Sequence, residues 1–70
     1  MNSRKVVGIN LRTLRNERGL TQEKLSAISG VDQGYIGTLE RGRVNVSVDT
    51  LDKIGKALKV KTVEFFRVMD

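Results

Sequence analysis

Between Thr21 and Leu39 two short amphipathic segments are joined by only three residues, Gly30-Val31-Asp32. So tight a junction excludes most arrangements. Leu25 on one side and Ile36 and Leu39 on the other fall at helical spacing. Strand-like alternation is confined to Val44-Asn45-Val46-Ser47-Val48, which is short and has no partner run. The chain is therefore built from helices, two of which must cross beside one another. Gly30 supplies the positive φ that a turn of three to four residues between crossing helices requires. Ser26 is small where the next helix passes at roughly 90–120°. Leu25, Ile36 and Leu39 interlock the pair.

Capping residues and apolar stripes place the other elements. Val7, Leu11 and Leu14 mark one face of a first helix that ends near Arg18, ahead of Gly19. Thr21 caps the second helix, whose buried face is read as Leu25 and Ile28. Asp32 caps the third, with Ile36, Leu39 and part of Tyr35 turned inward, and Gly42 closes it. After the polar stretch 41–45, Ser47 caps a fourth helix, with Asp49 in its first turn where negative charge suits the helix dipole. Its stripe is Val48, Leu51, Ile54 and Leu58. Thr62 opens a short fifth helix over about 62–68, carrying Val63, Phe65, Phe66 and Val68. The expectation is an all-α, compact five-helix domain spanning residues 1–70, with residues 1–4 flexible and the paired helices over about 21–40.

Composition narrows the chemistry. The 70 residues include no Cys and no His, so the usual zinc ligands, disulfides and Ser-His or Cys-His nucleophiles are absent. The acidic residues sit mostly in caps and on exposed faces without a convergent pair, so no catalytic residue, metal or cofactor is expected and the protein is not read as an enzyme. No apolar run approaches the roughly 20 residues of a membrane span, and MNSRKVVGIN is too polar for a signal peptide. The expected location is the cytoplasm, in association with the nucleoid. The net charge of +5 and a pI near 10.1 point to a polyanionic partner. The charge is uneven: residues 1–18 sum to +4, residues 19–40 to −2 and residues 41–70 to +3. The flanks, not the crossing helices, carry the electrostatic grip.

Two short helices crossing at a glycine turn form a helix-turn-helix, which lays its second helix in the major groove of DNA. The run GLTQEKLSAISGVDQGYIGTLERGRVNVSVDTLDKIGKALKV resembles the Cro/repressor-type, or XRE-like, helix-turn-helix family, whose domains have the lambda-repressor-like fold. The resemblance extends from about Val7 to Phe66. It is similar in particular to controller proteins of restriction-modification systems, through Val31-Asp32-x-x-Tyr35-Ile36, Glu40-Arg41 and Phe65-Phe66. The resemblance implies a transcriptional regulator of its own gene and a neighbouring one, acting on double-stranded DNA, with RNA polymerase as a further partner. An antitoxin-like or phage-type repressor that binds a partner protein and autoregulates is the alternative.

Site residues carry over position by position. The family pairs an arginine of the first helix with a glutamate ending the recognition helix, here Arg15 and Glu40. Thr21 and Gln22 match a phosphate-binding helix N-terminus. Gln33, Gly34, Tyr35 and Thr38 occupy the recognition surface. A Gln amide can bond adenine bidentately, so Gln33 is the leading base reader. Thr38 offers a methyl to thymine or a hydroxyl to a base or phosphate, and Tyr35 a hydroxyl to a phosphate. Gly34 and Gly37 depart from the polar side chains common in relatives, which shifts part of the specificity to DNA shape. Arg41, Arg43, Asn45 and Ser47 are placed on the DNA backbone, with Arg43 foremost. Lys53, Lys56, Lys59 and Lys61 read as a solvated face.

One such motif reads few base pairs, so two copies on half-sites about 34 Å apart are expected. Val63, Phe65, Phe66, Val68 and Met69 form the expected homodimer interface. Adjacent phenylalanines cannot both enter one small core, so one of Phe65 and Phe66 packs inward and the other meets the partner. Ile9 is a further surplus apolar residue.

Overall fold

The structure is a computed structural model and describes residues 2–68. The chain runs through α1 (Ser3–Glu17), α2 (Gln22–Ser29), α3 (Gln33–Glu40) and α4 (Val48–Leu58), then a 3₁₀ turn over Thr62–Phe66. There is no strand among the described residues. Each α-helix begins on a side chain that satisfies its first amides: Asn2, Thr21, Asp32 and Ser47 in turn. The Asn2 carboxamide oxygen accepts from the amides of Arg4 and Lys5, so α1 starts inside the segment expected to be flexible.

Gly30 ends α2 at φ +76, and its amide returns to the Ser26 carbonyl. The Ser29 hydroxyl accepts the Val31 amide at 3.1 Å and closes the turn. One glycine with two local hydrogen bonds is enough to set α3 against α2. α4 ends differently. Lys59 takes the left-handed conformation at φ +59, which a side chain adopts at a cost of about 1–2 kcal/mol. The Val60 amide then returns to the Gly55 carbonyl at 2.9 Å, and the Arg18 guanidinium reaches across to satisfy the Leu58 carbonyl. Lys59→Gly is therefore expected to stabilise the fold by about 0.5–1 kcal/mol, after allowance for the greater freedom of glycine in the unfolded chain. A rise in the urea midpoint at unchanged slope would register it.

Val7, Leu11, Leu25, Val31, Ile36, Leu39, Leu51, Ile54, Leu58 and Phe65 form one buried cluster. Of the stripes expected on α1–α4, Leu14 is half-buried against its edge, and two positions lie in solvent. Ile28 is 57% exposed, because an eight-residue helix wedged between α3 and α4 buries only the line through Leu25. Val48 is 64% exposed as the first residue of α4, and the buried stripe starts one turn later at Leu51.

The expected fifth helix is a single 3₁₀ turn and stops at Phe66 rather than near residue 68. Its N-terminus lacks a side-chain cap, and its β-branched and aromatic residues are weak helix formers. The Asn10 amide donates to the carbonyls of both Phe65 and Arg67, at 2.8 and 2.7 Å, and ties the segment to α1. The domain therefore has four α-helices among the described residues, not five.

Candidate nucleic-acid interface

α3 rests on a polar clamp at its last residue. Arg15 donates through Nε to Glu40 Oε2 at 2.6 Å and through Nη2 to Oε1 at 2.9 Å, a two-pronged pair. Nη1 of Arg15 reaches the Leu20 carbonyl at 2.7 Å, and Gln22 Nε2 donates to Glu40 Oε1 at 3.1 Å. The two charged side chains are only 11% and 4% exposed. One carboxylate thus gathers donors from α1 and α2 and fixes the end of α3 against both. The hydrogen bond to Glu40 raises the Arg15 pKa above its ordinary value, against the lowering effect of burial and with help from the Glu40 charge. A raised arginine contributes stability at every pH below its ordinary pKa and loses it only in strong alkali, so the guanidinium stays charged near neutrality.

Backbone contact completes the seat. A Cβ on Gly8 would lie 2.5 Å from the Leu39 carbonyl oxygen and 2.8 Å from that of Glu40. α1 and α3 thus meet where glycine alone fits.

The outward face of α3 carries Gln33 and Gly34, both exposed, with Thr38 half-buried one turn on. Gln33 makes no side-chain hydrogen bond among the described residues and is free to meet a ligand. The Thr38 hydroxyl donates to the Gly34 carbonyl at 2.9 Å and accepts from Arg41 Nη2 at 3.4 Å. Gly37 stands between α2 and the end of α3: an added Cβ would lie 3.4 Å from both Gln22 Oε1 and Arg41 Nη1. The side-chain ends of Gln22 and Arg41 thus both lie beside Gly37, within ordinary contact distance of where a Cβ would stand.

The structure gives several candidates internal duties. The Thr21 hydroxyl caps α2 by accepting the Lys24 amide. Ser47 caps α4 by accepting the Thr50 amide. The Tyr35 hydroxyl donates to the Asn45 carbonyl at 3.0 Å, so it props the 41–47 loop against α3. Asn45 Oδ1 accepts from Arg4 Nε at 2.6 Å, which holds the same residue from the α1 side. Arg41 and Arg43 stand exposed beside it. The sequence reading passed over Gly8, Asn10 and Arg4. Each acts across a sequence separation of 30 or more residues, and no local pattern signals such a contact.

At the C-terminal end Phe65 is wholly buried, whereas Val63, Phe66 and Val68 are 60%, 47% and 52% exposed. Phe65 therefore belongs to the core and leaves the expected dimer surface. Met69 lies outside the described residues.

A short glycine turn, a seated second helix with an open polar face and a basic loop behind it define a helix-turn-helix domain. The chain belongs to the XRE-like helix-turn-helix family of transcriptional regulators, whose match covers residues 11–65. It is 49% identical over its full 70 residues to an uncharacterised HTH-type transcriptional regulator of Sinorhizobium fredii (strain NGR234), covering 91% of that protein. Its structure is similar to that of the restriction-modification controller protein C.AhdI from Aeromonas hydrophila. The TM-score is 0.89 at 39% identity, over 94% of this chain and all of that one. It is also similar to the controller protein C.Esp1396I, solved as a tetramer in complex with its natural 35 base-pair operator. Here the TM-score is 0.84 at 35% identity, over 94% of this chain and 87% of that one. No helix among the described residues is long and apolar enough to cross a membrane.

Proposed function

We propose that this chain is a sequence-specific DNA-binding regulator of the controller type, binding an operator as a two-fold symmetric homodimer in the cytoplasm. The observation that carries the reading is the seating of α3. Its C-terminal end is clamped through Glu40, while Gln33, Gly34 and Thr38 face outward beside the exposed cations of the 41–43 segment. Likeness to a controller protein solved on its operator supports the same docking. Gln33 reads a base, Arg41 and Arg43 grip phosphate, and Gln22 approaches the duplex beside Gly37. Tyr35 and Asn45 set the loop that carries Arg43 into place.

The second copy meets Val63, Phe66 and Val68. Ile9, 64% exposed, lines with Val6 and Val68 an open cleft of about 320 Å³, so α1 adds apolar surface beside Val68, while Ile28 and Val48 are exposed on other elements. Regulation of the protein's own gene and a neighbouring one, with RNA polymerase as the responding partner, completes the proposal. Footprinting on DNA just upstream of the coding region tests it. Two protected half-sites one helical turn apart are expected, and the absence of protection at any concentration that saturates a relative would remove the reading. In that assay Gln33→Ala is expected to lose about 1–3 kcal/mol on the cognate site and to relax preference at one position per half-site. An unchanged base preference would exclude Gln33 as a reader.

A further inference from the structure

The first turn of α1 and the 41–45 loop lie against each other. Besides the bond from Arg4 to Asn45, a Cβ on Gly42 would lie 3.0 Å from both Cα and Cγ of Lys5. Arg4 and Lys5 are exposed. Neither forms an ion pair among the described residues; nor do Arg41 and Arg43 on the loop they touch. Four cations without a carboxylate partner therefore stand on two adjoining segments, although they are nearly 40 residues apart in sequence. Like charges so gathered repel one another, and a bound polyanion would relieve that repulsion. The α1 amides are not what would receive it, because Asn2 already occupies those of Arg4 and Lys5. The side chains are free to do so: among the described residues Arg4 uses only Nε, on Asn45, and its two terminal nitrogens have no acceptor.

We propose that Arg4 and Lys5 form a second phosphate clamp, independent of sequence, for the duplex that α3 reads. The inference rests on the proposed DNA-binding function and extends the contact surface from the recognition helix to the opposite end of the domain's first helix. Arg4 has a bridging place in it: one donor holds Asn45, which Tyr35 holds from the other side, and the remaining donors meet a phosphate oxygen. The clamp and the loop then engage the backbone as one unit.

The test is the salt dependence of binding to a random-sequence 20 base-pair duplex, read by fluorescence anisotropy for the wild-type chain, Arg4→Gln, Lys5→Gln and Arg4→Lys. Each lost phosphate contact lowers the slope of log K against log salt by about 0.9. The clamp predicts that drop for each glutamine variant and a slope near wild type for Arg4→Lys, which keeps the charge. Slopes unchanged in both glutamine variants, with wild type binding normally, would overturn the clamp and leave the role of α3 intact. A reduced slope in Arg4→Lys equal to that of Arg4→Gln would also overturn it, by showing that Arg4 acts only through Asn45. No binding by the wild-type chain at any salt concentration would instead defeat the DNA-binding reading itself. Both positions are solvent-exposed, so circular dichroism is expected to match wild type in all variants.

Discussion

Arg15→Ala is expected to cost about 3–5 kcal/mol, the typical penalty for stranding one member of a buried ion pair. The substitution removes both prongs of the contact to Glu40 and the bond to the Leu20 carbonyl together. The Glu40 carboxylate, 4% exposed, is then left with the Gln22 amide alone. A domain of this size holds only about 3–5 kcal/mol of stability from its core, so most molecules should be unfolded at 37 °C. Urea unfolding followed by circular dichroism measures the loss. The double replacement Arg15→Met with Glu40→Leu separates the stranded charge from the lost contact. Apolar pairs of similar volume often replace buried ion pairs at little net cost, so the double variant should recover most of the stability. A single-variant loss below about 1 kcal/mol would mean that the pair behaves like an exposed one.

Gly8→Ala is expected to destabilise by about 2 kcal/mol, although alanine in a helix interior ordinarily gains about 1 kcal/mol over glycine. The reversal of sign is the informative part. The added methyl would meet two main-chain carbonyl oxygens, at 2.5 and 2.8 Å, and neither belongs to a flexible side chain that can turn away. α1 and α3 must separate, at a cost typical of overpacking. The same displacement pulls Arg15 from Glu40 and shifts the recognition face, so affinity for DNA should fall in the molecules that remain folded. Thermal unfolding should show a drop of roughly 8–16 °C, at about 4–8 °C per kcal/mol for a small domain. A rise in melting temperature would show that the two helices approach less closely than their carbonyl positions indicate.

Elements with local causes are legible in the sequence alone. Thr21, Asp32 and Ser47 start their helices, and Gly30 stops α2 in the left-handed region. Caps act over three or four residues, and that information is contained in a short window of sequence. The core positions Leu11, Leu25, Ile36, Leu39, Leu51, Ile54 and Leu58 follow from helical period for the same reason. Period alone does not say how much of a stripe the neighbours cover, and so Ile28 and Val48 lie in solvent. Nor does it separate an α-turn from a 3₁₀ turn when Asn10, more than 50 residues away in sequence, supplies the hydrogen bonds.

The candidate site divides along the same line. Gln33 and Gly34 could be placed on an outward face because α3 must bury Ile36 and Leu39. The same sequence assigned the Tyr35 hydroxyl to a phosphate and left open which of the adjacent phenylalanines turns inward. Packing gives the Tyr35 hydroxyl an internal acceptor in the Asn45 carbonyl, and it places Phe65 in the core against α4 while Phe66 stays outside.

The amino-acid order by itself determined α2, α3 and α4 with their N-caps, the glycine turn and the basic flanks, since each depends on chemistry within one or two helical turns. Only the tertiary structure decided which atoms meet across the chain. The approach of Gly8 to α3, the gathering of donors at Glu40 and the joining of Arg4 to Asn45 depend on how the helices cross. A crossing is set by the sum of many weak contacts at once, and no single stretch of residues encodes it.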